Sequence, residues 1–328
     1  MATIGEMNPT LLDVTKRLDA NGKIDKIAEI LNETNEVLDD MTFVEGNLPT
    51  GHKTTVRTDL PDVTWRMLNY GVKPSKSATK QVVDTCGMLE AYAEVDKSLA
   101  DLNGNSAEFR LSEDRAFIEA MNEEVARTLF YGNTDINPER FYGFAPRYNS
   151  VQGEFKDNVI DAGGSSNLTS IYLVVWGPNT VHGIYPKGSK AGITHEDLGQ
   201  QTLTDVTGGR YEGYRSHYKW DVGLTVRDWR SVVRIANIDV NALTKDASSG
   251  ADLINLMIEA EERAHNMNLG RPAWYVNRQV RTMLRKQMNN AHKYQITEDN
   301  EAGKIVTRFD GIPVRRVDQI LNTEYKVQ

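Results

Sequence analysis

The pattern of apolar and polar positions predicts two long β-strands between His217 and Val240. Side chains alternate over the first strand, which is typical of a strand with one buried face. A short charged bend, Arg227–Arg230, leads into the second strand, so we expect the two to form a long ribbon. The apolar face is predicted to carry Tyr218, Trp220, Val222, Leu224 and Val226, and the polar face Lys219, Asp221, Thr225 and Arg227.

Other apolar runs predict further strands in the second half of the chain. Ile171–Trp176 is apolar throughout, which is typical of a fully buried strand, and Ala273–Val276 is interpreted as a central strand. The segment Lys304–Leu321 predicts two strands around a turn at Gly311–Pro313. The polar segment Lys187–Gly209 is predicted to be a loop.

Helical periodicity predicts five helices. The first is a lone amphipathic helix within Lys23–Met41, and the third has the strongest helical pattern, with an inward stripe of Phe117, Ala120, Met121, Val125, Thr128 and Leu129. The second to fifth predicted helices are, in order, Val82–Leu102, Glu113–Tyr131, Ala251–Asn268 and Arg278–Ala291. Their predicted N-caps, for the last three, are Ser112, Ser249 and Asn277.

The segment Thr42–Ala91 contains too few apolar residues to form a core of its own. It is rich in Pro, Gly, Thr and Ser, and its short alternations Lys53–Thr58 and Val63–Leu68 predict the strands of a long hairpin. A two-stranded hairpin is marginally stable alone. We therefore expect this hairpin to lie on another surface, of its own subunit or of a neighbour.

Composition limits the possible classes of function. The 328 residues suffice for two domains, or for one domain with long extensions. A net charge of -8 argues against a protein that coats nucleic acid. The single cysteine, Cys86, excludes an internal disulfide and is predicted to be buried in a helix. The sequence has no apolar run of membrane-spanning length and no signal-peptide pattern, so we expect cytosolic assembly.

No motif predicts catalytic, cofactor-binding or metal-binding residues. The six histidines are scattered without metal-ligand spacing, and no phosphate-binding or nucleophile motif occurs. The chain is therefore predicted not to be an enzyme and to need no cofactor, and an α/β enzyme with an unrecognised site is a less favoured alternative. The basic helix Arg278–Ala291 is interpreted as carrying charge all around it, on a solvated or subunit-facing surface rather than one that binds nucleic acid.

Three stretches in a fixed order resemble a known family. They are Glu113–Asn133 (EDRAFIEAMNEEVARTLFYGN), Tyr211–Asp239 (YEGYRSHYKWDVGLTVRDWRSVVRIANID) and Phe309–Leu321 (FDGIPVRRVDQIL). Together with the polar N-terminal segment and the hairpin, they make the chain similar to the major capsid proteins of tailed bacteriophages with the HK97 fold.

The resemblance implies an α+β, HK97-like capsid fold. Its parts would be an N-terminal arm (1–41), an extended loop (42–91), a peripheral domain with a long spine helix and a long-stranded sheet (92–170, 200–245 and 305–328), and an axial α/β domain (171–199 and 246–304).

The implied function is self-assembly, as hexamers and pentamers, into an icosahedral virion shell built in the host bacterial cytoplasm. The shell would enclose double-stranded DNA without sequence-specific binding and would need no membrane. A portal protein would be a partner, and scaffolding and decoration proteins are further candidate partners. An encapsulin-like compartment shell is the alternative. The candidate contacts between subunits are His52, Arg57, Asp59, Trp65, Arg66 and Arg147.

Overall fold

The computed structural model describes residues 35–102, 106–153, 155–205, 207–291, 296–301 and 304–328. Most of the predicted N-terminal helix lies outside these residues. The chain divides into two units, a first one with Met88–Val125 and Gly192–Asp221, and a second one with Thr34–Gly87, Ala126–Ala191 and Val222–Gln328. Each unit is described by itself.

The strands and helices are listed here in chain order. The strands are β1 Phe43–Glu45, β2 Gly51–Asp59, β3 Ala78–Asp96, β4 Val159–Asp161, β5 Leu168–Trp176, β6 Val181–Tyr185, β7 Thr194–Thr204, β8 Arg210–Val226, β9 Val232–Asp239, β10 Arg271–Val276, β11 Ile296–Glu301, β12 Lys304–Phe309 and β13 Ile312–Arg316. The α-helices are α1 Val37–Asp40, α2 Lys97–Ala100, α3 Ser106–Tyr131, α4 Phe144–Arg147, α5 Leu253–Arg263 and α6 Arg278–Ala291.

Strand β5 is the centre of the second unit, and all nine of its side chains are buried. The burial predicted for the apolar run Ile171–Trp176 is therefore confirmed. It pairs in antiparallel fashion with β9 and with β10. Strand β10 pairs in parallel with β13, which continues through β12 to β11. The central strand predicted at Ala273–Val276 is thereby confirmed.

Helices α5 and α6 pack apolar faces against this sheet and form its main core. Leu253, Ile254 and Met257 of α5 and Val280 and Leu284 of α6 are buried in one cluster with side chains of β5, β9 and β10. Asn277 caps α6 as predicted, because its Oδ1 accepts the backbone N–H of Val280 at 2.8 Å.

A buried ion pair ties the segment 322–328 to the sheet. Arg234 donates from Nη2 to Glu324 Oε2 at 2.7 Å, and each side chain is only 4% exposed. The same carboxylate accepts hydrogen bonds from the hydroxyls of Tyr131 and Ser170, both at 2.5 Å. Because the charges are satisfied by several partners, this segment is held firmly against β5 and β9.

The first unit pairs β7 with the first part of β8 in antiparallel register. Its small core contains Val95, Ala100 and Phe109, with Tyr214 packed against them. Ion pairs cross its surface, such as Arg215 with Glu94 at 2.5 Å. Trp220 is buried, as the alternation predicts.

The structure corrects the predicted ribbon and the predicted loop before it. Strands β8 and β9 exist, but they do not pair as a ribbon, since β8 pairs with β6 and β7 while β9 pairs with β4 and β5. The pairing with β6 also buries Thr225, which was expected on the polar face. The predicted loop Lys187–Gly209 contains β7, whose polar residues pair with β8.

Three helix predictions are also wrong in whole or in part. The predicted helix Val82–Leu102 is mostly strand β3, because backbone pairing with β2 on one side and β8 on the other outweighs helical propensity there. Cys86 is therefore half-buried in a strand. Helix α5 is shorter than predicted, and Asp252, not Ser249, caps it by accepting from Asn255 N. Helix α3 begins at Ser106, earlier than predicted, so Ser112 lies inside the helix and is not its N-cap. Ala120 of its expected inward stripe is exposed.

We expect Glu324→Gln to lower the free energy of unfolding by about 3–5 kcal/mol, because Arg234 would stay buried without a carboxylate. Urea unfolding of the subunit before assembly measures this. Tyr325→Ser is the matched control, since Tyr325 is 96% exposed and its loss should change stability by less than about 0.5 kcal/mol. Equal stability of the two variants would contradict the assigned role of the ion pair.

Candidate assembly surfaces

The predicted hairpin is confirmed, with β2 and β3 as its strands. They pair in antiparallel register from Gly51 opposite Thr85 to Asp59 opposite Ala78. The backbones approach closely at its root, the end nearest Gly51, where a Cβ on Gly51 would lie 2.1 Å from the carbonyl oxygen of Asp84. A glycine is therefore required there.

The hairpin tip, defined as Leu60–Ser77, is not the strand that Val63–Leu68 predicted. Its chain turns at Met67–Tyr70, where Asn69 has a φ of 69° and Tyr70 N donates to Met67 O at 3.2 Å. Across the tip, Ser75 Oγ donates to the carbonyl of Asp62 at 2.8 Å. The return strand of the hairpin is instead β3.

The tip exposes a concentration of large apolar side chains. Trp65 is fully exposed, and Val63 and Leu68 are each more than four-fifths exposed. The complete set is Leu60, Val63, Trp65, Met67, Leu68, Tyr70 and Val72. Burial of one such side chain is worth about 1.5–3 kcal/mol, so this surface has a strong thermodynamic preference for a covering partner.

A buried ion pair fixes the root of the hairpin. Arg147 donates from Nη2 to Asp84 Oδ1 at 2.7 Å, and the two side chains are 12% and 4% exposed. The same nitrogen also donates to the carbonyl oxygens of Tyr142 and Leu224. The pair joins β3 to α4 and to the last part of β8, so the root is anchored at several points within the second unit.

Two histidines also lie at the root, on β2 and β6. The rings of His52 and His182 meet edge to face with centroids 5.8 Å apart. Burial, together with the nearby His52 and Arg227, lowers the pKa of His182 to about 4. Burial and Arg227 also lower the pKa of His52, against the opposing effect of Asp84.

Five of the six candidate contact residues lie on the hairpin. His52 is at the root, Arg57 and Asp59 are exposed on the β2 ladder, and Trp65 and Arg66 are exposed at the tip. Arg147 lies on α4 and bonds within its own subunit. The role of all six between subunits stays a prediction.

Exposed apolar side chains also occur away from the hairpin, where no sequence pattern predicted them. Ile136 is 74% exposed, and Tyr325 stands out next to the anchored Glu324. Single exposed apolar residues of this kind cannot be recognised from the sequence, because they are the same residue types as those of the core.

Within the described ranges, no three His, Cys, Asp or Glu side chains are grouped so that they could hold a metal ion. None of the described helices combines the length and the apolar character needed to cross a bilayer.

Comparison with known proteins decides the family. The family model described as Major capsid protein GP7 matches residues 19–328. A chain of the bacteriophage Epsilon15 structure is 41% identical, covers 100% of this chain and 99% of its own length, and superposes with a TM-score of 0.78. The chain belongs to this family of phage major capsid proteins.

More distant capsid structures share the fold of this major capsid protein. The bacteriophage JBD30 capsid is 11% identical, covers 96% of this chain and 99% of its own length, and has a TM-score of 0.51. No curated protein matches the chain. The predicted α+β, HK97-type fold and the function as a tailed-phage capsid protein are confirmed, and this family is structural rather than enzymatic.

The encapsulin alternative has only a distant match. An encapsulin from Synechococcus elongatus is 10% identical, covers 66% of this chain and 91% of its own length, and has a TM-score of 0.44. This likeness is too weak to support a compartment function for the major capsid protein.

We expect Arg147→Met to destabilise the isolated subunit by about 3–5 kcal/mol, because Asp84 would remain buried without its cation. Arg57→Met is the control, since Arg57 is an exposed cation on the same hairpin. Thermal unfolding of both variants before assembly measures the difference. If Arg147→Met leaves subunit stability unchanged and blocks only assembly, the ion pair within the subunit is not its main role.

The lowered pKa of His182 predicts acid sensitivity. Between about pH 6.5, the ordinary value for histidine, and pH 4, the unfolded chain binds a proton that the folded chain does not. Stability therefore falls as the pH falls through this window, by up to about 1.4 kcal/mol per pH unit for this residue. His182→Gln should show a shallower decline than the wild type in unfolding measured from pH 7 to pH 4. Parallel curves would contradict the assignment to His182.

Proposed function

We propose that copies of this chain assemble as hexamers and pentamers into an icosahedral shell, with the hairpin tip of each copy lying across a neighbouring copy. The observation that supports this proposal is the row of exposed apolar side chains from Leu60 to Val72. A protein that works as a shell component has a permanent partner for such a surface. Interfaces of this permanent kind are the more hydrophobic class and commonly bury about 2,000–5,000 Å².

The reach of the hairpin fits this arrangement. From Gly51 to Tyr70 the chain runs for 20 residues, and an extended chain advances about 3.3 Å per residue. The tip can therefore extend up to about 60 Å from the root, which is longer than a strand of ordinary length. The anchored root gives the tip a defined starting direction, which a repeated contact in a closed shell requires.

We further propose that the chain is organised as an N-terminal arm (1–41), an extended loop (42–91), a peripheral domain (92–170, 200–245 and 305–328) and an axial domain (171–199 and 246–304). In this division the extended loop is the hairpin described above. Arg57, Asp59, Trp65 and Arg66 are exposed along it and are therefore available to contact a neighbouring copy.

The shell would be assembled in the host cytoplasm and would enclose double-stranded DNA, with a portal protein as a further partner and scaffolding or decoration proteins as additional ones. The net charge of -8 supports an enclosure that does not hold DNA over its whole surface, because broad phosphate contacts require dense Lys and Arg.

The proposal is tested by removing the tip without disturbing the ladder. Replacing Leu60–Ser77 with Asn-Gly joins Asp59 to Ala78, which already pair, through a two-residue turn. We expect subunits with nearly unchanged thermal stability that form no closed particles in electron microscopy. Normal particles from this variant would overturn the proposal.

A point variant gives a finer test. Trp65→Ser should reduce the yield of particles at least ten-fold, because a buried Trp is a typical interface hot spot. Ile136→Ser removes an exposed apolar side chain away from the hairpin and serves as the matched control. Equal yields from the two variants would argue against the tip as the main contact.

A further inference from the structure

The cations of α6 lie on one face, which corrects the expectation that they surround the helix. Arg278, Arg281 and Arg285 follow each other at spacings of three and four residues, so they share a face, and Lys286 lies beside Arg285 at the edge of that face. On the opposite side, Val280, Leu284 and Gln287 are buried. The basic stripe is about 10 Å long from Arg278 to Arg285.

Strand β13 brings one further cation to the stripe. Arg316 lines the same cleft as Arg278, Arg281, Arg285 and Lys286, and the cleft has a volume of about 470 Å³. We call this cleft the basic groove. Thr282 also lines it, but its hydroxyl already donates to the carbonyl of Arg278 at 2.8 Å.

The carboxylates that the described contacts place beside the basic groove are already engaged. Asp318 Oδ2 accepts from both Arg278 and Arg316, at 2.8 and 2.9 Å. Glu36 Oε2 accepts the backbone N–H of Arg316 at 3.3 Å. These carboxylates order the arginines at one side of the groove.

Arg281 lies in the middle of the basic stripe, and the positive charges of neighbouring arginines repel its guanidinium group. Its pKa is lowered chiefly by burial, with Glu36 opposing the shift and with Arg285, Arg316 and Arg315 adding to it. Among the described contacts, its Nη2 donates to the hydroxyl of Thr307 at 3.3 Å. An anion in the groove would stabilise this guanidinium and offset the repulsion.

We propose that the basic groove is a binding site for a multivalent phosphate anion. Several guanidinium groups converge on a cleft large enough for such an anion, and guanidinium forks match phosphate oxygens in bidentate geometry. A phosphate group concentrates more charge and more acceptor oxygens at one place than a carboxylate does, so it suits convergent arginines better than an acidic peptide. The phosphates can come from a nucleic acid backbone or from a free polyphosphate.

The test measures binding to the full-length chain before assembly. Sodium tripolyphosphate and a short DNA duplex are the two probes, titrated at about 50 mM salt, because phosphate contacts weaken steeply as salt rises. Sodium sulfate at equal ionic strength controls for general screening. Binding is followed by calorimetry for tripolyphosphate and by fluorescence anisotropy for a labelled duplex.

Two variants remove charge from the groove. Arg281→Gln with Arg285→Gln is the stronger change, and Arg285→Gln with Lys286→Gln alters only exposed side chains if the first variant fails to fold. Lys187→Gln with Lys190→Gln is the matched control, because it removes two exposed cations elsewhere. We expect the groove variants to weaken tripolyphosphate binding at least ten-fold and the control variant to leave it unchanged.

Groove-dependent binding of both probes would assign the site to a nucleic acid backbone, and binding of tripolyphosphate alone would assign it to a free polyphosphate. The proposal is overturned if the wild type binds neither probe, or if groove and control variants bind alike. It is also overturned if the groove variants block particle formation but leave anion binding unchanged, since the groove would then meet carboxylates of another copy. Because the chain is tested before assembly, the result does not depend on the role of the hairpin tip.

Discussion

The feature on which the rest of the account depends is an apolar surface that the single subunit leaves uncovered. Seven large apolar side chains lie on the hairpin tip between Leu60 and Val72. Water opposes their exposure, and each can contribute about 1.5–3 kcal/mol when it is buried. A chain with this surface gains stability by association, and a shell supplies the same partner surface at every position. Membership of a phage capsid family gives this physical requirement its biological setting.

The hairpin tip can make the same contact in every copy only if the root of the hairpin is held in a fixed position. The second unit fixes it with backbone contacts too close for a side chain at Gly51 and with the ion pair of Arg147 and Asp84. A second buried ion pair, Arg234 with Glu324, holds the segment 322–328 on the central strands. Buried ion pairs are weak sources of net stability but are costly to break singly, so they favour one arrangement over its alternatives. Precise repeated contacts need that kind of uniqueness.

Local patterns in the sequence predicted the parts of the fold that depend on local information. The continuous apolar run of β5, the Asn277 cap and the hairpin between β2 and β3 all carry their signal within a few residues.

The errors arise where pairing between segments distant in sequence decides the structure. Strand β3 contains Leu89, Ala91 and Ala93, which fit a helix as well as a strand, and only the pairing of β3 settles the choice. Likewise, β8 and β9 are adjacent in sequence, yet β8 pairs with β6 and β7 and β9 pairs with β4 and β5. The basic groove likewise combines residues that are distant in sequence, because Arg316 of β13 lies 30 residues beyond Lys286 along the chain.

The most direct measurement is hydrogen–deuterium exchange of residues 60–77 in subunits before assembly and in closed particles. In free subunits we predict fast exchange, because the described backbone of the tip has few internal hydrogen bonds, and in particles we predict strong protection of the same peptide. Peptides from β5 provide the internal reference, since they are buried and paired in both states. Equally fast exchange of the tip in particles and in free subunits would contradict the claim that a neighbouring copy covers it.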